Sequence, residues 1–296
     1  VLDYIDQPFA DSSAIPFYIL SNEIGKHVTV ALSGDGADEI FGGYRKHMAH
    51  ARAINKSIVN KLVKTAGPLL NLTPQSRHNK IADKARQAAR FSKGIQKKGV
   101  ERYWYWASIS SPDYAQQLLK TPWPEQHAPW HDLGLDVPEK HTLGHILQAE
   151  VNMLLPGDML TKADSMSMAN SLEVRVPFLD HELVEFAMQL PDHFKIHENK
   201  QKRILQDTFR TDLPAELYNR PKKGFEIPLV KWFRKDLYHY IFDDLLSEAK
   251  IEQQAILNYS VINDLKKQLL SSSPGDSPAR IWALVVFQHW WNQYMN

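Results

Sequence analysis

The sequence has 296 residues, 43% of them hydrophobic, with 35 Lys or Arg against 34 Asp or Glu and no cysteine. Such a chain can bury one large core or two modest ones, and the lack of Cys removes disulfides, thiolate metal sites and Cys nucleophiles. It contains no apolar run of about 18 residues and no basic segment leading into an apolar one, so neither membrane insertion nor secretion is indicated and a cytoplasmic address is expected.

The chain opens on Val1-Leu2-Asp3-Tyr4 rather than on Met and reads as a piece of a longer one. Asp11-Ser12-Ser13 offers an N-cap, and Ile15, Tyr18 and Ile19 follow at helical spacing until Gly25, which predicts a helix over 11–25. His27 to Leu32 is short, β-branched and apolar between Gly25 and Ser33-Gly34, the pattern of a buried parallel strand. The stretch from Ser33 to Tyr44 follows directly, with four glycines and the acids Asp35, Asp38 and Glu39. A strand feeding a Gly-rich turn is where open α/β sheets place their ligand sites.

From 45 to 120 the apolar spacing is helical, as in Ile81, Ala85, Ala88 and Ala89, and then Val100, Tyr103, Trp104 and Ala107. Residues 45 to 102 also hold 15 Lys or Arg against only Asp83 and Glu101. Such a block is either a solvated face of surface helices or a footprint for nucleic acid or another polyanion, and its scarcity of aromatics favours the first. Four prolines between 121 and 138 mark an irregular connection. Helical spacing resumes through Leu143, Ile146, Leu147, Val151 and Leu154, and again through Ile281, Leu284 and Val285. The late tryptophans Trp282, Trp290 and Trp291 suit core or subunit contacts, which leaves a homodimer open. The i, i+4 histidine pairs His127/His131 and His141/His145 lack an HExxH context and are read as non-metal.

Backbone N–H groups in a Gly-rich turn can contact phosphate or ribose oxygens. Three carboxylates beside them would repel bare phosphate, so a nucleotide bound there implies Mg²⁺, which takes one or two carboxylates plus phosphate oxygens. The same residues also suit a plain acidic turn capping a helix through Asp38.

Leu32-Ser33-Gly34-Asp35-Gly36-Ala37-Asp38-Glu39-Ile40-Phe41-Gly42-Gly43-Tyr44 resembles the SG(E/D)GxDE(L/I/V)FGGY signature of glutamine-hydrolysing asparagine synthetases. Lys162 to Asp180 is similar to that family's (R/K)xDxxxMxxxLExRxPFLD segment, and Arg220 to Phe233 to its RxKxGFxxPxxxWF segment. Asp6 to Ser13 is similar to the DEPFADSS run that precedes them.

The resemblance implies a helix-rich α/β fold: a truncated adenine-nucleotide-hydrolase-like sheet, of the PP-loop ATP pyrophosphatase kind, with a large helical extension. Residues 1–44 would carry the strand and acidic turn, 45–140 the extension, and 141–296 a helical part with the other two segments. It implies ATP-dependent amide formation, in which the aspartate side chain attacks MgATP to give β-aspartyl-AMP and pyrophosphate, and ammonia from glutamine then displaces AMP. By position, Ser33, Gly34 and Gly36 would contact the nucleotide, Asp38 would help hold Mg²⁺, and Asp35 would accept a proton from attacking ammonia. Lys222 would stabilise charge on the departing pyrophosphate. Glu39 remains open between substrate contact and structure; Glu173 and Arg175 are read as an ion pair, with substrate contact as the alternative. Asp180 is read as a helix N-cap.

The family's SGGxDS phosphate loop and its N-terminal glutaminase domain with a Cys nucleophile are both missing from these residues. The piece alone is therefore expected to bind ATP weakly and to make no asparagine. Two rivals stay open: a relative that forms another amide or a β-lactam, and a polyanion-binding module built on the block at 45–102.

Overall fold

The structure, a computed structural model, describes residues 1–55, 60, 63, 80–122, 136–218, 224, 225 and 227–295. It divides the chain into two compact units. Unit 1 is Ser13–Asn60 with Leu135–Glu226 (and Val1), and unit 2 is Leu2–Ser12, Lys61–Gly134 and Ile227–Asn296.

In chain order the main elements are α1 (Ala14–Gly25), β1 (Val30–Leu32), α2 (Ala37–Phe41), α3 (Arg45–Ile54), α4 (Lys80–Gly94), α5 (Gly99–Ala107) and α6 (Pro112–Leu118). After these come α7 (Leu143–Ala149), α8 (Thr161–Met168), β2 (Glu173–Arg175), α9 (His181–Gln189), β3 (Ile196–His197), β4 (Lys200–Gln201), α10 (Leu229–Arg234), α11 (Tyr259–Leu270) and α12 (Ser277–Tyr294). The architecture is helix-rich α/β, as the sequence led us to expect.

Unit 1 is organised around a small parallel sheet. β1 pairs with β2 in the register Val30–Glu173, Ala31–Val174 and Leu32–Arg175. The ladder is lengthened at both ends by Glu173 N–H donating to Thr29 O at 2.9 Å and Ser33 N–H donating to Arg175 O at 2.8 Å. α1 packs on α8, and α8 on β2, which joins three segments far apart in sequence. β1 is parallel as predicted, but it is not buried: Val28, Val30 and Leu32 are exposed, Leu32 at 74%. A parallel strand is apolar because both faces of its sheet are normally covered. The described residues supply one partner strand and leave one edge and part of a face open.

Two apolar clusters hold the elements around the turn after β1. Ile40, Phe41 and Ala187 are buried against Phe178, Leu183 and Val184. Met48, Leu143, Leu147 and Ile196 form the second cluster. Fully burying a side chain of this size is worth roughly 2 kcal/mol, so the five-residue helix α2 is held by packing and not by its own propensity. Between α7 and α8 the helix widens into a π-helical stretch, Glu150–Leu160, around Pro156. Proline has no N–H to donate, and such local widening keeps the helix continuous past it.

Unit 2 is wholly helical in its named elements. Its last helix, α12, buries Ile281, Trp282, Leu284, Val285, Val286 and Gln288. Residues so placed face more than one direction, which makes α12 a central helix packed by α10 and α11. Trp282 lies in this core as expected, and the Trp290 indole N–H donates to Asp6 O at 3.0 Å. No helix among the described residues is long and apolar enough to cross a membrane.

Candidate active site

The turn after β1 is built by residues whose local demands are explicit. Ser33 ends the parallel ladder, and its hydroxyl donates to Asp35 Oδ2 at 2.5 Å while accepting from the Asp35 backbone N–H at 3.2 Å. This closed loop of two bonds fixes the Asp35 carboxylate relative to the strand end. Gly34 is exposed, and a Cβ placed on it would meet nothing within 4 Å. The backbone is therefore open to an incoming group at that point.

Gly36 caps α2 with φ +89°, and a Cβ there would lie 2.3 Å from Leu179 Cδ2. Both the left-handed conformation and the contact exclude larger residues. Leu179 belongs to the Pro177-Phe178-Leu179-Asp180 segment, so the second resemblance segment buttresses the first. Asp180 accepts from Glu182 N–H and Leu183 N–H, as an N-cap does.

The acids of the turn have separate partners. Asp38 is an ion pair with Lys202, Nζ to Oδ1 at 3.0 Å, with side chains 21% and 30% exposed. It lies in the first turn of α2, whose N-cap is Gly36; the reading of Asp38 as the capping group is thus corrected. Gly43 packs against this pair so closely that a Cβ would sit 1.6 Å from Asp38 Oδ1 and 2.3 Å from Lys202 Cε. Glu39 is 1% exposed and accepts a 2.6 Å hydrogen bond from the Tyr44 hydroxyl. Burial, and then the adjacent Glu39 carboxylate, push the Tyr44 phenol far above its ordinary range, which keeps it a hydrogen-bond donor. Glu39 is thereby engaged in structure.

Glu173 and Arg175 meet at 2.8 Å on β2, with side chains 55% and 65% exposed. They are the expected ion pair, though on the surface rather than buried, and an exposed pair contributes little to stability. Lys222 lies outside the described residues. Of the predicted site residues, the structure brings Ser33, Gly34, Gly36, Asp35 and Asp38 together on one turn. Glu173 and Arg175 stand on the adjacent strand, where Arg175 is the register partner of Leu32.

Three features escaped sequence reasoning. Lys202, in a left-handed conformation at φ +50°, supplies the counter-charge to Asp38; the Lys200–Arg203 run gives no motif that singles it out. Lys162 is 7% exposed and donates to Ser13 Oγ at 3.0 Å, tying the start of α1 to α8. Ser13 therefore serves the lysine and does not cap its own helix. The third is a buried cluster of Glu150, Lys46 and His47. Lys46 Nζ lies 2.8 Å and His47 Nε2 3.5 Å from Glu150 Oε2. Burial disfavours the Glu150 charge, but the Lys46 ammonium and His47 outweigh it and bring the carboxyl down to about 2.

Whether the turn fits a nucleotide with Mg²⁺ is a question of donor set. Among the described residues no group of three or more metal-capable side chains exists, and Asp38 already faces an ammonium. The turn does not form a protein-built metal cage. It fits an ion that arrives on phosphate oxygens and asks the protein for one or two carboxylates, which Asp35 and Asp38 can supply.

A model of the asparagine synthase family matches residues 1–292. The chain belongs to the asparagine synthase family. It is 29% identical over 299 residues to asparagine synthetase [glutamine-hydrolyzing] 1 of Bacillus subtilis, covering 97% of this chain and 44% of that protein. It is 29% identical over 306 residues to a putative asparagine synthetase [glutamine-hydrolyzing] of Mycobacterium tuberculosis, with 97% and 43% covered. Asparagine synthetase [glutamine-hydrolyzing] 3 of Bacillus subtilis matches at 30% over 217 residues, 73% of this chain and 28% of its own. The chain thus spans less than half the length of these asparagine synthase relatives.

Proposed function

We propose that this chain is the distal part of an ATP-dependent amide-forming ligase that converts aspartate to asparagine through a β-aspartyl-AMP intermediate, using ammonia released from glutamine by a domain outside these residues. The observation that carries this reading is the exposed turn at the carboxyl end of β1, where Ser33 holds Asp35 at the edge of the open backbone of Gly34. Open α/β sheets bind ligands outside the carboxyl ends of their strands.

In this reading Ser33, Gly34 and Gly36 line the nucleotide. Asp35, oriented by the Ser33 hydroxyl, takes a proton from ammonia as the nitrogen attacks the activated carboxyl carbon. Asp38 helps to hold Mg²⁺, which when bound offsets phosphate charge, and Lys202 then shares or yields its carboxylate. Lys222 balances charge on the pyrophosphate leaving group. Glu39 acts by anchoring Tyr44, and Glu173 with Arg175 stays a surface pair on β2. The exposed Val30 and Leu32 support the view that further strands of the sheet, and the phosphate loop, come from the part of the protein these residues lack.

The test compares pyrophosphate release with asparagine formation. In the complete enzyme Asp35→Asn should lower amide formation by about 10² to 10⁴, the range of a lost general base, while aspartate-dependent pyrophosphate release persists. Lys222→Gln should depress both. The 296-residue chain alone should do neither; aspartate-dependent pyrophosphate release by that chain sinks the proposal. A screen of other carboxylates in the same assay checks the acceptor.

A further inference from the structure

Unit 2 contains a cavity of about 390 Å³ in which the proposed ligase chemistry has no part. Its wall is strongly basic. Arg86, Arg90 and Lys93 lie at i, i+4 and i+7 on α4 and so share one face of that helix. Arg280 enters from the first turn of α12. The single acid in the lining is Asp276.

Arg90 and Arg280 are held in place by carbonyls and a ring. Arg90 donates to the carbonyls of Tyr105, Trp106 and Ser108 at 3.2, 3.3 and 2.7 Å. Arg280 donates to Ile109 O at 3.2 Å, and its guanidinium sits 4.3 Å from the Tyr114 ring centroid. Carbonyls and rings fix a guanidinium without cancelling its formal charge. Asp83 pairs with Arg86 at 2.8 Å, and Asp276 lies 3.7 and 3.8 Å from Arg86 and Arg90. Lys93 is exposed and has no ion-pair partner among the described residues. Four cations gathered on one cavity lining repel one another, and an anion in the cavity relieves that repulsion.

A second, independent feature points the same way. Ser110 lines the cavity, and its Oγ is buried without a hydrogen-bond partner among the described residues. Buried hydroxyls are normally satisfied. The Tyr105 hydroxyl, kept neutral by burial, adds another donor to the same wall. Forked guanidiniums, an ammonium and two hydroxyl donors form the chemistry that grips phosphate oxygens.

Size and lining decide between a small ligand and a polymer. Small-molecule sites occupy about 300–1,000 Å³, whereas strand-binding grooves string aromatic platforms along a basic track; Tyr105 is the sole aromatic in this lining. We propose that the cavity between α4, the α5–α6 connection and the start of α12 binds a small molecule bearing a phosphate group, gripped by Arg86, Arg90, Lys93 and Arg280 with Ser110 donating.

Equilibrium dialysis of the chain against radiolabelled inorganic phosphate tests this directly. Wild type should show saturable binding at millimolar phosphate. Lys93→Glu, an exposed position with no ion pair among the described residues, should lose at least about tenfold, one charge-assisted contact being worth that much. Lys93→Arg should retain binding, and Ser110→Ala should weaken it about threefold to tenfold. Absence of saturable binding, or equal binding by Lys93→Glu, overturns the proposal. Retention of a single-stranded oligonucleotide that phosphate cannot displace overturns it in favour of a polyanion surface.

Discussion

Replacing Glu150 by glutamine removes the charge from the buried cluster while keeping its shape. Glu150 and His47 have fully buried side chains, and Lys46 is 16% exposed. Burial opposes ionisation of Glu150, but Lys46 and His47 bring its carboxyl from 4.5 to about 2 in the folded state. That difference of about 2.5 is worth roughly 3 kcal/mol at 1.36 kcal/mol for each pH unit. Breaking a buried pair by removing one partner costs about 3–5 kcal/mol because the other charge is stranded, so a loss of about 3 kcal/mol is expected for Glu150→Gln. The sign with pH follows from the depressed folded value. The wild-type contribution is fully present above pH 4.5 and is lost as pH falls towards about 2. Urea unfolding followed by circular dichroism should therefore show a gap between wild type and variant at neutral pH that narrows in buffers below pH 4.5. A gap below about 1 kcal/mol at neutral pH, or one that stays constant below pH 4.5, refutes the reasoning.

Gly43→Ala would place a Cβ 1.6 Å from Asp38 Oδ1 and should part the Asp38–Lys202 pair, costing about 1–3 kcal/mol in thermal melts. Gly94→Ala gains helix propensity of about 1 kcal/mol, yet its Cβ falls 2.1 Å from Trp106 Nε1; tryptophan-monitored unfolding should show net destabilisation. Arg234 donates to Leu269 O at 2.8 and 2.5 Å and to Ser271 O at 2.6 Å, so Arg234→Ala should cost about 1–3 kcal/mol and raise amide exchange at the end of α11.

Much of unit 1 was legible because its rules are local. Gly25 ends α1, Asp180 caps α9, and the glycines at 36 and 42, which flank α2, have the positive φ values that glycine adopts at least cost. The family motifs pointed to the turn for the same reason: a strand end, an open glycine and nearby acids form a compact pattern. What stayed hidden depends on pairings across long separations. Lys202 reaches Asp38 over 164 positions, and Lys162 reaches Ser13 over 149; neither lysine differs by type or spacing from a solvated one. The exposure of β1 was not legible because its apolar run is the pattern of a strand covered on both faces, while the described residues provide only β2 as its partner. The basic block looked like one feature, but the two units divide it: Lys46 serves Glu150 in unit 1, and Arg86 and Arg90 line the cavity in unit 2.

The open side of β1 has a practical consequence for anyone purifying the chain. The edge of β1 that has no partner strand among the described residues, with a leucine left 74% in solvent, is a template for another extended segment. At high protein concentration that segment is another molecule's β1, so association should grow with dose, and a tethered upstream segment should suppress it by its higher local concentration.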